Sequence, residues 1–483
     1  MVILPTGLGK TAVALLVSAH VLQRGLKVLL LAPTKPLVEQ HRQYFSENLS
    51  TTKVGVMNGL MEPNKRADTM RECSLVVTTP QAVANDLDNG VYNLKDYGLI
   101  IYDEAHRGTG NYAYVDVARY RPSHALAMGM TASPGSDLRK IEEVCRNLAL
   151  TRIDVRNDDD PDVAPYVHDT YINRIEVNMP KDLTDITALL RELLDHYFME
   201  LAALGLTQPN WPVSTRHMLV IGQNLQARLG RGEKTMTVFR GLTDQSICIK
   251  LLHARDLAET QGMSPLRAFL TKINEAGVSK DGSKADRELV AQERYKEVWD
   301  IVATSKVEHP KISKVMSLVS QVLSSGASPR VIVFTQYRES CDMLAEKLAS
   351  VTGARVCKLI GQANGGLKQR EQVGLIDDFR QGKYNVVVST SVGEEGLDIS
   401  STNAVIFYEP VPSEIRTIQR RGRTGRKNDG EVYVLIAKGT MDEVTESASQ
   451  RKEDMMRERL AVLSSDLKRQ RPQKPGQTGI GDF

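Results

Sequence analysis

The chain has 483 residues, 41% hydrophobic and 25% charged, with a formal net charge of +3. That length suits about three domains with real cores and excludes a broadly disordered chain. No apolar run reaches the ~20 residues of a membrane span, and no charged start leads into an apolar block and cleavage site. The five cysteines form no CxxC pair, which points to reduced thiols in a cytoplasmic protein rather than to a zinc or iron–sulfur site. A charge of +3 is small for a nucleic-acid binder, but a stepping motor can hold phosphates with backbone amides and hydroxyls.

Along the chain, apolar runs at 27–32, 75–78, 99–102 and 125–128 alternate with helical patterns. Unbroken runs suit parallel strands covered on both faces, so residues 1–165 predict an α/β domain. In the middle, Ile186, Leu189, Leu190, Leu193, Leu194, Tyr197, Phe198 and Leu201 recur at helical spacing. Strand runs are scarce there, so 180–308 predicts an α-helical insert with a polar loop at 276–286. A helix carrying Ile312, Val315, Met316, Val319, Val322 and Leu323 then leads into a second α/β domain at 309–463. Its strand runs are 331–334, 386–389, 404–407 and 432–435. The Pro- and Gly-containing stretch 464–483 predicts a flexible tail.

Two strings carry chemistry. Residues 5–11 read PTGLGKT, between an apolar run and a helical stretch. Strand, glycine-rich turn and helix is the setting of a phosphate loop. Gly7 and Gly9 let the backbone wrap phosphates with Thr6, Lys10 reaches the β- and γ-phosphates, and Thr11 ligates Mg²⁺ of ATP·Mg²⁺. Leu4 stands where the full pattern has its first glycine. Residues 103–106 read DEAH at the end of an apolar run. On a strand beside the first, Asp103 can hold Mg²⁺, and Glu104 can orient and deprotonate the attacking water. A lone DEAH could instead cap a helix.

These strings have companions in order: APTKPLVEQH (32–41), TTPQ (78–81), TAS (131–133), VIVFT (331–335), VSTSVGEEGLDI (388–399) and QRRGRTGR (419–426). The set resembles superfamily 2 helicases across both α/β domains. The resemblance implies two RecA-like parallel-sheet domains that close on ATP. Gly396 and Asp398 would lie at the nucleotide, and Gln419, Arg423 and Arg426 would reach its phosphates across the cleft, the arginines as fingers. Thr34, Thr79, Thr335 and Thr390 would bond nucleic-acid phosphates without reading sequence. Thr131 and Ser133 would couple track to ATP site.

The wording of APTKPLVEQH, IIYDEAHR, GMTASPG and GEEGLDI, with the helical insert, is similar to the branch of archaeal Hef and the Fanconi anaemia M helicase. That branch acts on forked and branched DNA, moving 3′ to 5′, in fork repair, and the resemblance implies a cytoplasmic, nucleoid-associated enzyme. The RIG-I-like receptors and Dicer share the insert but use duplex RNA. A DNA-binding platform that barely unwinds is the other alternative. In Hef-like proteins the insert grips the duplex, and Arg216, Arg228, Arg231, Lys234 and Arg240 form a basic cluster there. A solvated helical face is the plainer reading of that cluster. No ERKxxxD nuclease signature occurs, so strand cutting is not expected. The branch has an upstream segment with an adenine-recognising glutamine, which this sequence lacks; the expectation is a misassigned start or a fragment. Finally, Gln477, Ile480 and Phe483, at i, i+3 and i+6, resemble the peptide that docks on the sliding clamp PCNA, with one aromatic instead of two.

Overall fold

A computed structural model describes residues 1–156, 160–161, 163–166, 170–325, 328–361, 369–390, 402–411, 413 and 430–469. The first domain runs β1 (Val2–Ile3), α1 (Lys10–Gln23), β2 (Lys27–Leu31), α2 (Lys35–Asn48), β3 (Val54–Met57), α3 (Pro63–Glu72), β4 (Leu75–Thr78), α4 (Pro80–Asp88), β5 (Tyr97–Asp103), α5 (Ala113–Arg119), β6 (Leu126–Thr131), α6 (Leu138–Asn147) and β7 (Asp154–Val155). The strands form one sheet in the order β3-β4-β2-β5-β6-β1-β7, every pair parallel. The apolar runs explain it. Residues 28–32 and 99–102 are almost wholly buried, because helices cover both faces of the sheet. Each such Leu or Ile contributes about 1.5–3 kcal/mol by leaving water.

One sequence expectation is corrected here. The DEAH strand β5 does not lie beside β1; β6 stands between them. The sheet therefore carries Thr131 between the phosphate loop and Asp103.

The chain next forms β8 (Thr170–Val177), which joins the second sheet, not the first. Sequence pattern missed this strand, since Tyr171 and Ile172 are exposed edge residues without an unbroken apolar run. The second domain thus begins before the insert, not at 309. Its remaining elements are α13 (Pro310–Leu323), β9 (Val331–Phe334), α14 (Arg338–Ala349), β10 (Val356–Leu359), α15 (Gln369–Arg380), β11 (Val386–Ser389), β12 (Ala404–Phe407), β13 (Gly430–Ala437) and α16 (Met441–Arg469). The sheet order is β10-β11-β9-β12-β13-β8, again all parallel.

Between β8 and α13 lie six helices: α7 (Lys181–Ala203), α8 (Thr215–Gly230), α9 (Met236–Asp256), α10 (Met263–Val278), α11 (Lys284–Ala291) and α12 (Glu293–Thr304). They enclose their own core, in which Ile186, Leu190, Leu194 and Leu201 of α7 meet Ile247, Leu251, Leu266 and Val298. The expected loop at 276–286 is shorter, because α10 continues to Val278 and Ser283 caps α11 through Asp286 N–H. A π turn, Leu257–Gln261, interrupts the path from α9 to α10 and ends at Gly262, φ 99°. A side chain at 262 would strike the Cβ of His309.

That π turn is the joint with the second domain. His309 Nε2 donates to Glu259 O (3.1 Å), Lys311 Nζ to Thr260 O (3.2 Å), and Gln261 Nε2 to Glu409 Oε2 (3.3 Å). Lys311 also pairs with Asp442, both fully enclosed. The tail expected from 464 is helical through Arg469. Helix α16 crosses back to the first domain, where Met456 enters the core and Arg459 bonds the carbonyl of Ser136.

Candidate nucleotide site and nucleic-acid track

Gly7 and Gly9 adopt left-handed backbone, φ 89° and 85°, which turns residues 5–9 back over the end of β1. Gly9 caps α1 without a side chain, so no side-chain oxygen of Gly9 occupies the helix's first N–H groups. Lys10 Nζ donates to the carbonyls of Leu4 (3.0 Å) and Pro5 (3.1 Å), folded back on its own loop. Thr6 lies half-buried in the turn and Thr11 on the first turn of α1. These groups fit a polyphosphate: backbone amides at a helix N-terminus, with one ammonium and one hydroxyl on the same first turn.

Asp103 is the last residue of β5 and only 7% exposed. Its Oδ1 accepts from Glu104 N–H (3.0 Å), and its Oδ2 lies 2.8 Å from His41 Nε2. Burial pushes the carboxyl up, but His41 and Lys10 outweigh it and hold it below the usual carboxylate range. A carboxylate whose ionised form is favoured at this edge fits a magnesium ligand. Among the described residues no group of three or more His, Cys, Asp or Glu could hold a metal. A nucleotide-bound magnesium needs only one or two such protein ligands, and Asp103 and Thr11 would supply them.

Glu104 has φ 48°, one of two non-glycine residues with positive φ among the described residues. Such backbone costs on the order of 1–3 kcal/mol and collects where function demands it. It leads into the 3₁₀ turn Ala105–Arg107. His106 Nδ1 lies 3.0 Å from Thr131 Oγ1 and 3.4 Å from Glu104. Burial, then the neighbouring Arg107, pushes this imidazole down to about 4, so it is neutral. Thr131 gives its own proton to Ser133 O (3.1 Å) and accepts from Ser133 N–H (3.2 Å), so His106 is the donor. The Ser133 hydroxyl in turn meets Met456 Sδ of α16 (3.3 Å). Contacts thus run from His106 through Thr131 and Ser133 to α16.

Thr34 and Thr79 follow the paired strands β2 and β4 and open helices α2 and α4. Thr34 Oγ1 accepts from Leu37 N–H (3.5 Å), while Thr79 makes no side-chain cap. Thr335 and Thr390 follow the paired strands β9 and β11. All four sit at carboxyl edges, where ligands bind in open parallel sheets. Thr335 is enclosed, however, and its hydroxyl donates to Glu409 (3.3 Å); Thr390 is also buried. In the insert, Arg228 is paired with Glu233 (Nε to Oε2, 2.9 Å), and Arg240 with Asp244 (3.0 Å) and Glu288 (2.8 Å). Arg231 is exposed, its Nε on the carbonyl of Ala227. Gly396, Asp398, Gln419, Arg423, Arg426, Gln477, Ile480 and Phe483 lie outside the described residues.

Sequence reasoning passed over His41, His106 and Met456. The first two stand inside the motifs already quoted, and their signal was an imidazole at the end of each string. Met456 had none, since only the fold brings α16 to the first domain.

Comparison with known proteins agrees with this layout. Residues 1–136 match the profile of the type III restriction enzyme res subunit, 182–309 that of the helical bundle of a putative ATP-dependent RNA helicase, and 311–428 that of the helicase conserved C-terminal domain. The crystal structure of the Pyrococcus furiosus Hef helicase domain superimposes with a TM-score of 0.70 at 40% identity, covering 93% of this chain and 94% of that one. The chain belongs to the Hef branch of superfamily 2 helicases. Further Hef-branch relatives include a putative ATP-dependent RNA helicase of Methanocaldococcus jannaschii (38% identical, 91% of this chain) and the ATP-dependent DNA helicase mph1 of Neurospora crassa (32%, 91%). A Fanconi anemia group M protein homolog of Mus musculus is 29% identical over 91% of this chain. The chain spans 56%, 40% and 24% of these three relatives, respectively. As the motif wording led one to expect, the Hef-type architecture of two parallel sheets and a helical region is present.

Proposed function

We propose that this chain is an ATP-driven motor that translocates 3′ to 5′ on forked or branched DNA and separates or migrates strands there, in replication-fork repair. The observation that carries the reading is the end-to-end likeness to the Hef helicase domain, helical insert included. The mph1 relative, named as a DNA helicase, points the same way. Bound ATP·Mg²⁺ supplies the phosphoanhydride whose hydrolysis drives the cycle. Lys10 would exchange its loop carbonyls for the phosphates, and Asp103 and Thr11 would hold the ion. Glu104 orients water and accepts its proton, and its left-handed backbone aims the carboxylate. By the family resemblance Arg423 and Arg426, with Gln419, would serve the same phosphates, so hydrolysis would require closure. His106, Thr131 and Ser133 relay the state of that site towards the track at Thr34 and Thr79, while Arg228 and Arg231 hold duplex.

A second reading, a duplex-RNA ATPase, is favoured by the word RNA in the descriptions of the Methanocaldococcus relative and the helical-bundle profile. ATPase rates without nucleic acid and with single-stranded DNA, forked DNA and duplex RNA, beside Lys10→Ala, separate the two. Stimulation by forks, lost in the variant, is expected; stimulation by RNA alone overturns the DNA reading. Strand displacement on the same forks distinguishes a helicase from a binding platform. Docking on a sliding clamp through Gln477, Ile480 and Phe483 belongs to the same reading. Deleting 476–483 is expected to abolish clamp binding and leave ATPase unchanged.

A further inference from the structure

His41, 3% exposed on α2, the helix that follows β2 beside β5, places Nε2 2.8 Å from Asp103 Oδ2. An ionised carboxylate only accepts, so Nε2 carries the proton. The other ring nitrogen, Nδ1, is enclosed and has no hydrogen-bond partner. A buried polar atom left unmet costs about 1–3 kcal/mol, so this imidazole is a poor choice for stability alone. What it does achieve is geometric. With Glu104 N–H on Oδ1 and His41 on Oδ2, both carboxylate oxygens are fixed and the plane of Asp103 cannot rotate. Metal-binding carboxylates held in this way bind better than free ones. The same helix opens at Thr34, seven residues or about two turns earlier, at the carboxyl edge of the sheet. Helix α2 therefore carries a phosphate-contact candidate at its start and the partner of the magnesium ligand in its middle.

We propose that His41 is a positioning residue that orients Asp103 for nucleotide-bound magnesium and transmits nucleic-acid engagement at the start of α2 to that metal site. The second half rests on the nucleic-acid track proposed above; the first half does not.

The test compares His41→Gln, whose amide N–H can reach Asp103, with His41→Asn, whose shorter amide cannot. Binding of a fluorescent ADP is titrated with Mg²⁺ and with EDTA, and thermal melting without nucleotide checks the fold. In the wild type, Mg²⁺ tightens binding. His41→Asn is expected to lose about ten- to hundredfold of that gain with unchanged affinity in EDTA, and His41→Gln to recover most of it. The same Mg²⁺ gain in wild type and both variants overturns the positioning role, as does equal loss in both. In a second arm, the Mg²⁺ concentration for half-maximal ATPase is read with and without forked DNA. DNA is expected to lower it in the wild type and not in His41→Asn. A DNA effect retained in His41→Asn overturns the transmission. No DNA effect in the wild type instead sinks the track reading and leaves the first arm standing.

Discussion

At the carboxyl edge of the first sheet, Asp103 and His41 are buried beside a half-buried His106; at the foot of the insert, Lys311, Asp442, His309 and Glu409 are buried together. Burial of charge does not separate the two clusters, but their surroundings do. The first adjoins a glycine-rich loop with two left-handed glycines, contains a left-handed Glu104, and leaves His41 Nδ1 unmet. The second closes on itself: Lys311 meets Asp442 and Thr260, while His309 meets Glu259 and Lys311 N–H. A cluster with strain and an open loop beside it is built for a ligand; a mutually satisfied one is built to hold two bodies together. The strain at Glu104 and the adjoining glycine-rich loop, rather than burial itself, mark the first cluster as a ligand site.

The contrast between the clusters is tested hardest by Glu104→Gln. ATPase with forked DNA is expected to fall between about 10²- and 10⁴-fold, with ADP affinity and melting temperature near wild type. Lys311→Met should do the reverse. It leaves Asp442 without its counter-charge in a closed site, so denaturant unfolding should show a loss of about 3–5 kcal/mol while the low-temperature turnover of the folded fraction changes little. Turnover that drops in step with Glu104→Gln would erase the distinction between the clusters.

Acid should affect both clusters alike. His106 and His309 are pushed down to about 4 and about 3, first by burial and then by Arg107 and Lys311. Between pH 6.5 and those values the unfolded chain takes up protons that the native imidazoles refuse, so stability falls as pH drops and is fully kept above 6.5. The slope is at most about 1.4 kcal/mol per pH unit for each group. Melting measured from pH 7.5 to 5 should show it, and His309→Gln should flatten it. The smallest effect is expected in the insert. Arg228→Glu with Arg231→Glu should weaken fork binding more than single-strand binding and lower the salt slope by about one unit for every phosphate that is no longer neutralised. Equal weakening on both substrates would remove the insert from the track.

Much of the first cluster was legible in the sequence, because phosphate chemistry demands Gly7, Gly9, Lys10, Asp103 and Glu104 within two short strings. Helix α7 was legible too, since its buried face repeats every three or four residues. What escaped were features set by distant neighbours. β8 takes its place only by pairing with β13, more than 250 residues later. The hydrogen bond of His41 with Asp103 joins two strings 62 residues apart. Arg228 read as a bare cation because its partner, Glu233, meets it only where the chain turns after α8. Thr335 read only as a candidate phosphate contact, because nothing local signals Glu409, 74 residues on.

β8 also decides how the insert can travel. The chain enters the helical bundle from one edge strand of the second sheet and returns through α13 into the same sheet's core. Both attachment points of the bundle are therefore on one body. It is an outrigger of the second domain rather than a hinge pin between the two. The closed joint at Glu259–Gln261 stiffens that mounting. Any rotation that brings the second sheet towards the phosphate loop swings the far end of the bundle through a longer arc, turning a small closing angle into a larger displacement along whatever the insert grips.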